Sequence, residues 1–166
     1  MNGKNYYVVD TSSFIELKRF PDDIFPSLWK NIEDLIDKGF MISPREVLKE
    51  LSAKDDDLKK WAQKQKRLFR ELDAYQITLV KEILKKYPAL AKSDSEIPAA
   101  DPFVIALAVV LSKDPQKTLD PSIKKRIVVS EERLHGSRVK IPFVCKQYNI
   151  DCITMIEMCR SEGWKF

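Results

Sequence analysis

Tyr6-Tyr7-Val8-Val9-Asp10-Thr11-Ser12-Ser13 carries the strongest indication of the fold class, because its apolar run stops at a carboxylate and then becomes a helical pattern. Such a segment predicts a β-strand followed by a helix, with Asp10 at the carboxyl end of the strand. In α/β proteins, ligands and reacting groups gather at the carboxyl ends of parallel strands. Asp10 is therefore either a metal ligand or the cap of the following helix, and this segment alone supports both interpretations equally.

The composition is that of a soluble globular protein. The 166 residues are 44% hydrophobic and 33% charged, which suits a single domain spanning residues 1–166. No apolar run is long enough to cross a bilayer, and the first residues lack the apolar region of a secretory signal. We therefore expect a cytoplasmic protein that makes no contact with a membrane.

Two classes of site are disfavoured by the residue counts. The chain has three cysteines without a CxxC pair and a single histidine, so neither a zinc site nor a catalytic triad built on histidine is supported. The net charge of +4 permits a polyanionic partner without requiring one.

The order of the predicted elements indicates an α/β fold. Short apolar runs predict strands at residues 6–9, 40–43, 127–129 and 151–154. Apolar residues at three- and four-residue steps predict helices near residues 14–19, 24–38, 44–53, 55–72, 75–87, 100–111, 141–148 and 155–159. Residues 91–98 and 113–126 are predicted to be loops. Alternating strands and helices predict a mostly parallel sheet covered on both faces.

Three further segments could bring acids to Asp10. Glu50 lies beside the apolar stripe of its predicted helix, whereas Glu46 lies almost opposite and is interpreted as a solvated helix former. Asp101 opens the most apolar helix of the chain, where a capping role would also explain it. Glu132 follows the third predicted strand, and this strand end, like the first, combines hydroxyl and carboxylate side chains directly after an apolar run.

Several carboxylates in one cleft repel each other unless a cation compensates them. Oxygen ligands without histidine suit Mg²⁺ or Mn²⁺. A water bound to such an ion can attack a phosphodiester, so the sequence predicts hydrolysis at phosphorus.

Together these segments resemble a PIN domain. The resemblance rests on four motifs in order: Tyr7–Ser12, Ile42-Ser43 leading to Glu50-Leu51, Ala100–Ala106, and Val128–Glu132. The C-terminal runs Val139–Cys145 and Glu162–Phe166 are similar to a PIN-like branch of about this length that is related to the VapC toxins. The resemblance covers nearly the whole chain.

The resemblance implies a three-layer α/β/α sandwich and a metal-dependent ribonuclease. It implies that Asp10, Glu50 and Asp101 form the acidic core and that Glu132 supplies a fourth acid, with Glu131 as its substitute. Ser12 matches the small polar residue that supports the first aspartate, and Ser130 is the hydroxyl before the fourth acid.

The resulting hypothesis is an endoribonuclease that uses Mg²⁺ or Mn²⁺ and acts as the toxin of a toxin–antitoxin pair. Its partners would be RNA, an antitoxin protein and a second copy in a homodimer. RNA phosphates would be bound by Lys18, Arg45, Lys64 and Arg67, although basic faces such as residues 59–70 are more often merely solvated. The alternative is a non-catalytic PIN-like module that binds RNA or a protein. A phosphatase of the haloacid dehalogenase type is disfavoured, because Ser12 stands where that class has a second Asp.

Overall fold

The structure is an α/β sandwich built on five parallel strands. The computed structural model describes residues 3–91, 96–113 and 123–166. The strands are β1 (Lys4–Val9), β2 (Met41–Pro44), β3 (Phe69–Arg70), β4 (Ile123–Val129) and β5 (Asp151–Ile153). They lie in the order β3-β2-β1-β4-β5, and every neighbouring pair is parallel. All carboxyl ends therefore meet at one edge of the sheet.

Helices cover both faces of this sheet, which confirms the predicted α/β sandwich. They are α1 (Thr11–Leu17), α2 (Pro26–Asp37), α3 (Arg45–Lys54), α4 (Asp56–Lys64), α5 (Ala74–Lys86), α6 (Asp101–Lys113), α7 (Ile141–Gln147) and α8 (Met155–Ser161). A short 3₁₀ turn spans Pro88–Leu90. None of the helices in the described ranges has the length and apolar character needed to cross a membrane.

Helix α6 is the centre of one layer. Eight of its residues are buried, from Pro102 to Leu111, which confirms the predicted core helix. It packs on β1, β2 and β4 and also contacts α5 and α7. A helix that is apolar nearly all round needs partners on every side, and this position supplies them.

The predicted helix over residues 55–72 is wrong in its second half. Helix α4 ends at Lys64, and Phe69–Arg70 forms the edge strand β3. The Ser43 amide donates to the Leu68 carbonyl at 2.8 Å, which begins the pairing of β2 with this segment. Apolar residues in the segment fit both a helical and a strand period, so the edge of β2 decided between them.

The boundaries around β4 also differ from the prediction. Lys113 belongs to α6, and β4 begins at Ile123 and not at Ile127. The remainder of the predicted loop at 113–126 lies outside the described residues, as does part of the predicted loop at 91–98.

A buried tyrosine ties the central strand to the last helix. Tyr7 is fully buried, and its hydroxyl donates to Glu162 Oε1 at 2.6 Å while accepting from Asn5 Nδ2 at 3.1 Å. Tyr6, its neighbour on β1, faces the opposite side, where it lines a small cleft with Leu107 of α6. Alternate residues of β1 therefore anchor the two helical layers.

We expect Tyr7→Phe to lower the free energy of unfolding by about 1.5–3 kcal/mol, because it removes a hydrogen bond to a charged group. Urea denaturation measures this change. Tyr75→Phe is the matched control, since Tyr75 is 66% exposed and should change stability by less than about 0.5 kcal/mol. Equal effects of the two substitutions would contradict a stabilising bond between β1 and Glu162.

Candidate functional site

The candidate site lies where the order of the strands reverses. From β1 the chain moves outward to β2 and β3, and it then returns to the other side of β1 with β4 and β5. Such a switch point opens a crevice at the carboxyl ends of the two central strands. Val9 pairs with Val129 in the register, so Asp10 and Ser130 follow side by side. Both sequence-predicted strand ends are thus brought together.

Asp10 is a buried carboxylate held by two serines. It is 3% exposed, and its Oδ2 atom accepts from Ser12 Oγ at 2.7 Å and from Ser130 Oγ at 3.2 Å. The Ser12 amide, 3.4 Å from the same oxygen, makes Asp10 the N-cap of α1. The capping interpretation of Asp10 is therefore confirmed, and these three bonds all end on one of its two carboxylate oxygens.

The environment of Asp10 opposes its negative charge. Burial raises the pKa of its carboxyl above the ordinary value, and the hydrogen bond from the Ser12 hydroxyl partly offsets this rise. The negative charge of Glu132 raises the same pKa further. A cation at this position would act in the opposite direction.

The two glutamates after β4 have different partners. Glu131 Oε1 accepts from the Met155 amide at 2.8 Å and from Ser13 Oγ at 3.1 Å, so it holds the start of α8. Glu132 Oε2 accepts from the Ile141 amide at 3.0 Å, at the start of α7. Of the two, Glu132 is the acid whose charge acts on Asp10.

Glu50 reaches the start of α6. It is 6% exposed, and its Oε1 atom accepts from the Ala100 amide at 2.6 Å, one residue before Asp101. Lys54 Nζ lies 3.6 Å from its other oxygen, Oε2. The Ala100 carbonyl accepts from the amides of Phe103 and Val104, so α6 begins at Asp101 with Ala100 as the residue before it.

Glu46, one turn earlier on α3, is less exposed than predicted. Its side chain is 15% exposed, and its Oε2 atom is buried without a hydrogen-bond partner. The interpretation of Glu46 as a solvated helix former is therefore wrong, because α3 packs against α1, α4, β2 and β3 on more sides than its apolar stripe indicates.

Among the predicted acids, the charge of Glu132 acts on Asp10, and Glu50 binds the amide of the residue preceding Asp101. The side chains of residues 3–91, 96–113 and 123–166 include no group of three or more His, Cys, Asp or Glu that could hold a metal ion as they stand. Glu50, Glu131 and Glu132 each accept a hydrogen bond from a backbone amide.

The cations predicted to bind RNA mostly have partners within the chain. Lys18 pairs with Asp55, and Arg45 Nη1 lies 2.8 Å from Glu71 Oε1. Arg67 Nη1 donates to the Asp37 carbonyl at 2.7 Å, at the end of α2. Lys64 is exposed in the last turn of α4.

A cleft of about 540 Å³ opens beside Ser130, Glu131 and Glu132. Its other walls include Arg133, which directly follows Glu132, and Arg160 in α8. Neither arginine was predicted from the sequence to belong to the site. Arg133 could have been found because it follows the predicted fourth acid, but nothing near Arg160 in the sequence indicates that α8 turns it toward the same cleft.

Comparisons with known proteins identify the family of this chain but do not indicate an activity. A family model described as "Domain of unknown function (DUF4411)" matches residues 7–166. No curated protein matches the chain.

We expect Asp10→Asn to stabilise the metal-free protein at neutral pH. Burial raises the pKa of Asp10 in the folded protein above its unfolded-state value of 3.8. The folded protein is therefore most stable, with respect to this group, below pH 3.8, where the carboxyl is protonated. It loses that stability as the pH rises through the folded-state pKa. Asparagine cannot ionise, so the variant should have a higher free energy of unfolding than the wild type at pH 7, and this difference should disappear below about pH 4. Thermal melts in EDTA measure it, at ~2–4 °C per kcal/mol. A variant less stable than the wild type at pH 7 would contradict this sign.

We expect Glu131→Ala to destabilise the fold by about 1–3 kcal/mol, since it leaves the first amide of α8 and the Ser13 hydroxyl without their acceptor. Denaturant titration measures the loss. Glu82→Ala on the exposed side of α5 is the control and should change stability by less than about 0.5 kcal/mol. If both variants unfold at the same denaturant concentration, Glu131 does not hold α8.

Proposed function

The chain belongs to the DUF4411 family, and we propose that its strand-end carboxylates make it a metal-dependent endoribonuclease of PIN type. The observation that carries this proposal is the buried carboxylate of Asp10 at the switch point of the sheet. It is 3% exposed and lies within the electrostatic influence of a second acid, Glu132. A structural cap alone does not require a second negative charge nearby, whereas a cation site does.

The donor chemistry at this edge fits a hard divalent ion. Its oxygens come from carboxylates and from the hydroxyls of Ser12 and Ser130, and Mg²⁺ and Mn²⁺ prefer such ligands. In the proposal Asp10 and Asp101 hold the ion directly. Glu50 ligates it or orients a water, and Glu132 binds a second ion or its waters.

The chain's own residues would prepare the reaction by orientation. Ser12 and Ser130 hold Asp10 Oδ2, and Oδ1 takes part in neither of these hydroxyl bonds. Glu132 is held through Oε2 by the Ile141 amide and Glu50 through Oε1 by the Ala100 amide, which restricts both side chains before a substrate arrives. A bound divalent ion supplies an acidic water and stabilises the charge that develops at phosphorus.

We expect Asp10→Asn to lower the rate of Mg²⁺- or Mn²⁺-dependent RNA cleavage by at least ~100-fold, since loss of one group that acts mainly in the transition state costs about 3 kcal/mol or more. Cleavage of labelled RNA by matched preparations measures this. Glu82→Ala, purified in the same way, is the control and should cleave like the wild type.

Two results would overturn the proposal. One is an unchanged rate in Asp10→Asn, which would assign the cleavage to a contaminant. The other is a wild-type protein whose melting temperature does not respond to Mg²⁺ or Mn²⁺, since a ligand at ~100 times its Kd stabilises the folded state by about 2.7 kcal/mol.

The second candidate is a non-catalytic module that binds RNA or a protein. It is favoured by the engagement of Glu50, Glu131 and Glu132 with backbone amides, which explains their positions without an ion. Retained RNA binding without any metal response would select this candidate. The antitoxin and the homodimer stay predictions from the resemblance.

A further inference from the structure

The cleft beside Glu132 combines apolar and cationic side chains next to the candidate acids. Leu134 is 48% exposed and Ile156 is 40% exposed, and both line this cleft. Only six large hydrophobic side chains are exposed in the described part of the chain, and two of these six lie at this one cleft. Apolar surface left open beside a candidate site is typical of a ligand-binding position.

Arg133 and Arg160 are the two cations of this cleft, and neither has an acidic partner among the described residues. Neither forms an ion pair with any residue of the described ranges, whereas Lys18, Arg45 and Lys54 each pair with an acid. Both arginines are exposed at the rim of the cleft. An unpaired guanidinium keeps all its donors for a ligand, and its planar fork matches phosphate oxygens.

The acids of the cleft are already partly compensated. Glu131, Glu132 and Glu157 each accept from a backbone amide at the start of α7 or α8, where the helix dipole favours negative charge. Glu16 lies 3.5 Å from Arg19. The two arginines are therefore the charges of this cleft that have no partner in the described part of the chain.

We propose that this cleft holds an unpaired nucleotide of the RNA next to the scissile phosphodiester. Arg133 and Arg160 bind the phosphates on either side of it, and Leu134 and Ile156 pack against its base. The volume of about 540 Å³ lies within the range of ~300–1,000 Å³ for small-ligand sites. Because Ser130 and Glu132 line the cleft, we assign it to the same substrate as the candidate acids. The inference therefore rests on the proposed nuclease function.

RNA bound in this cleft would follow a different part of the surface from the one predicted from the sequence. The sequence predicted contacts with Lys18, Arg45, Lys64 and Arg67. The cleft lies instead beside β4, β5 and α8, on the side of Asp10 away from β2 and β3. Single-stranded RNA binds by this combination of cations along the backbone and apolar surface against the bases.

The test measures RNA binding separately from cleavage. Full-length Asp10→Asn protein is titrated in Mg²⁺ against a fluorescent single-stranded RNA, and anisotropy gives the Kd at several salt concentrations. The variant Arg133→Ala/Arg160→Ala in this background should bind about tenfold more weakly or worse. Its slope of log K against log salt should be less steep by about 1.4, at ~0.7 per phosphate contact.

The control removes the same charge elsewhere. Lys81→Ala/Lys85→Ala lies on the exposed side of α5 and also lowers the net charge by two, so a general loss of positive charge would affect both pairs equally. Leu134→Ser/Ile156→Ser should weaken binding while leaving the salt slope unchanged, because it alters only the apolar contact. Thermal melts verify that each variant is folded.

The outcomes separate this inference from the proposed function. Equal Kd values for the arginine pair and the α5 pair, or tighter binding of a duplex than of the single strand, would overturn the cleft. An arginine-dependent Kd in a protein whose wild type cleaves nothing would keep the cleft and overturn the nuclease. Absence of RNA binding by the Asp10→Asn protein would overturn the inference.

Discussion

Backbone amides at the starts of four helices donate hydrogen bonds to carboxylates at one edge of the sheet, and the candidate site depends on these bonds. Asp10 caps α1, Glu50 binds the amide just before α6, and Glu132 and Glu131 bind the first amides of α7 and α8. The first amides of a helix have no partner inside it, so they need acceptors from elsewhere. The acids therefore hold the helices in place, and the helices hold the acids at the strand ends.

This arrangement reconciles a structural role with a chemical one. The bonds from Ser12 and Ile141 each use one carboxylate oxygen of their partner acid, whereas Glu50 binds the Ala100 amide through Oε1 and has Lys54 Nζ 3.6 Å from Oε2. Two oxygens per carboxylate allow one to bind the protein while the other faces a ligand. Glu131 also uses a single oxygen, Oε1, but this oxygen accepts from both Ser13 and Met155 and so links α1 to α8. Of the two glutamates, Glu132 is the one whose charge acts on Asp10, so the proposed nuclease site uses it as the fourth acid.

The sequence allowed the parts with strong periodicity to be predicted. The run before Asp10 was a strand, the apolar segment after Asp101 was a buried helix, and Glu50 pointed toward the interior. Strand β3 was missed because two residues at an edge have no period of their own. The environment of Glu46 was also missed, since it depends on the packing of α3 against four other elements.

The sequence by itself determined that apolar runs would form a parallel sheet and that carboxylates would follow its strands, because both properties depend on neighbouring residues. Only the tertiary structure decided which of those carboxylates meet. The reversal of strand order between β1 and β4 put Asp10 beside Ser130, and the approach of α8 put Arg160 at the same cleft as Arg133. Contacts between residues more than a hundred positions apart, such as Ser130 with Asp10, depend on how the layers close over the core, and no local pattern encodes that closure.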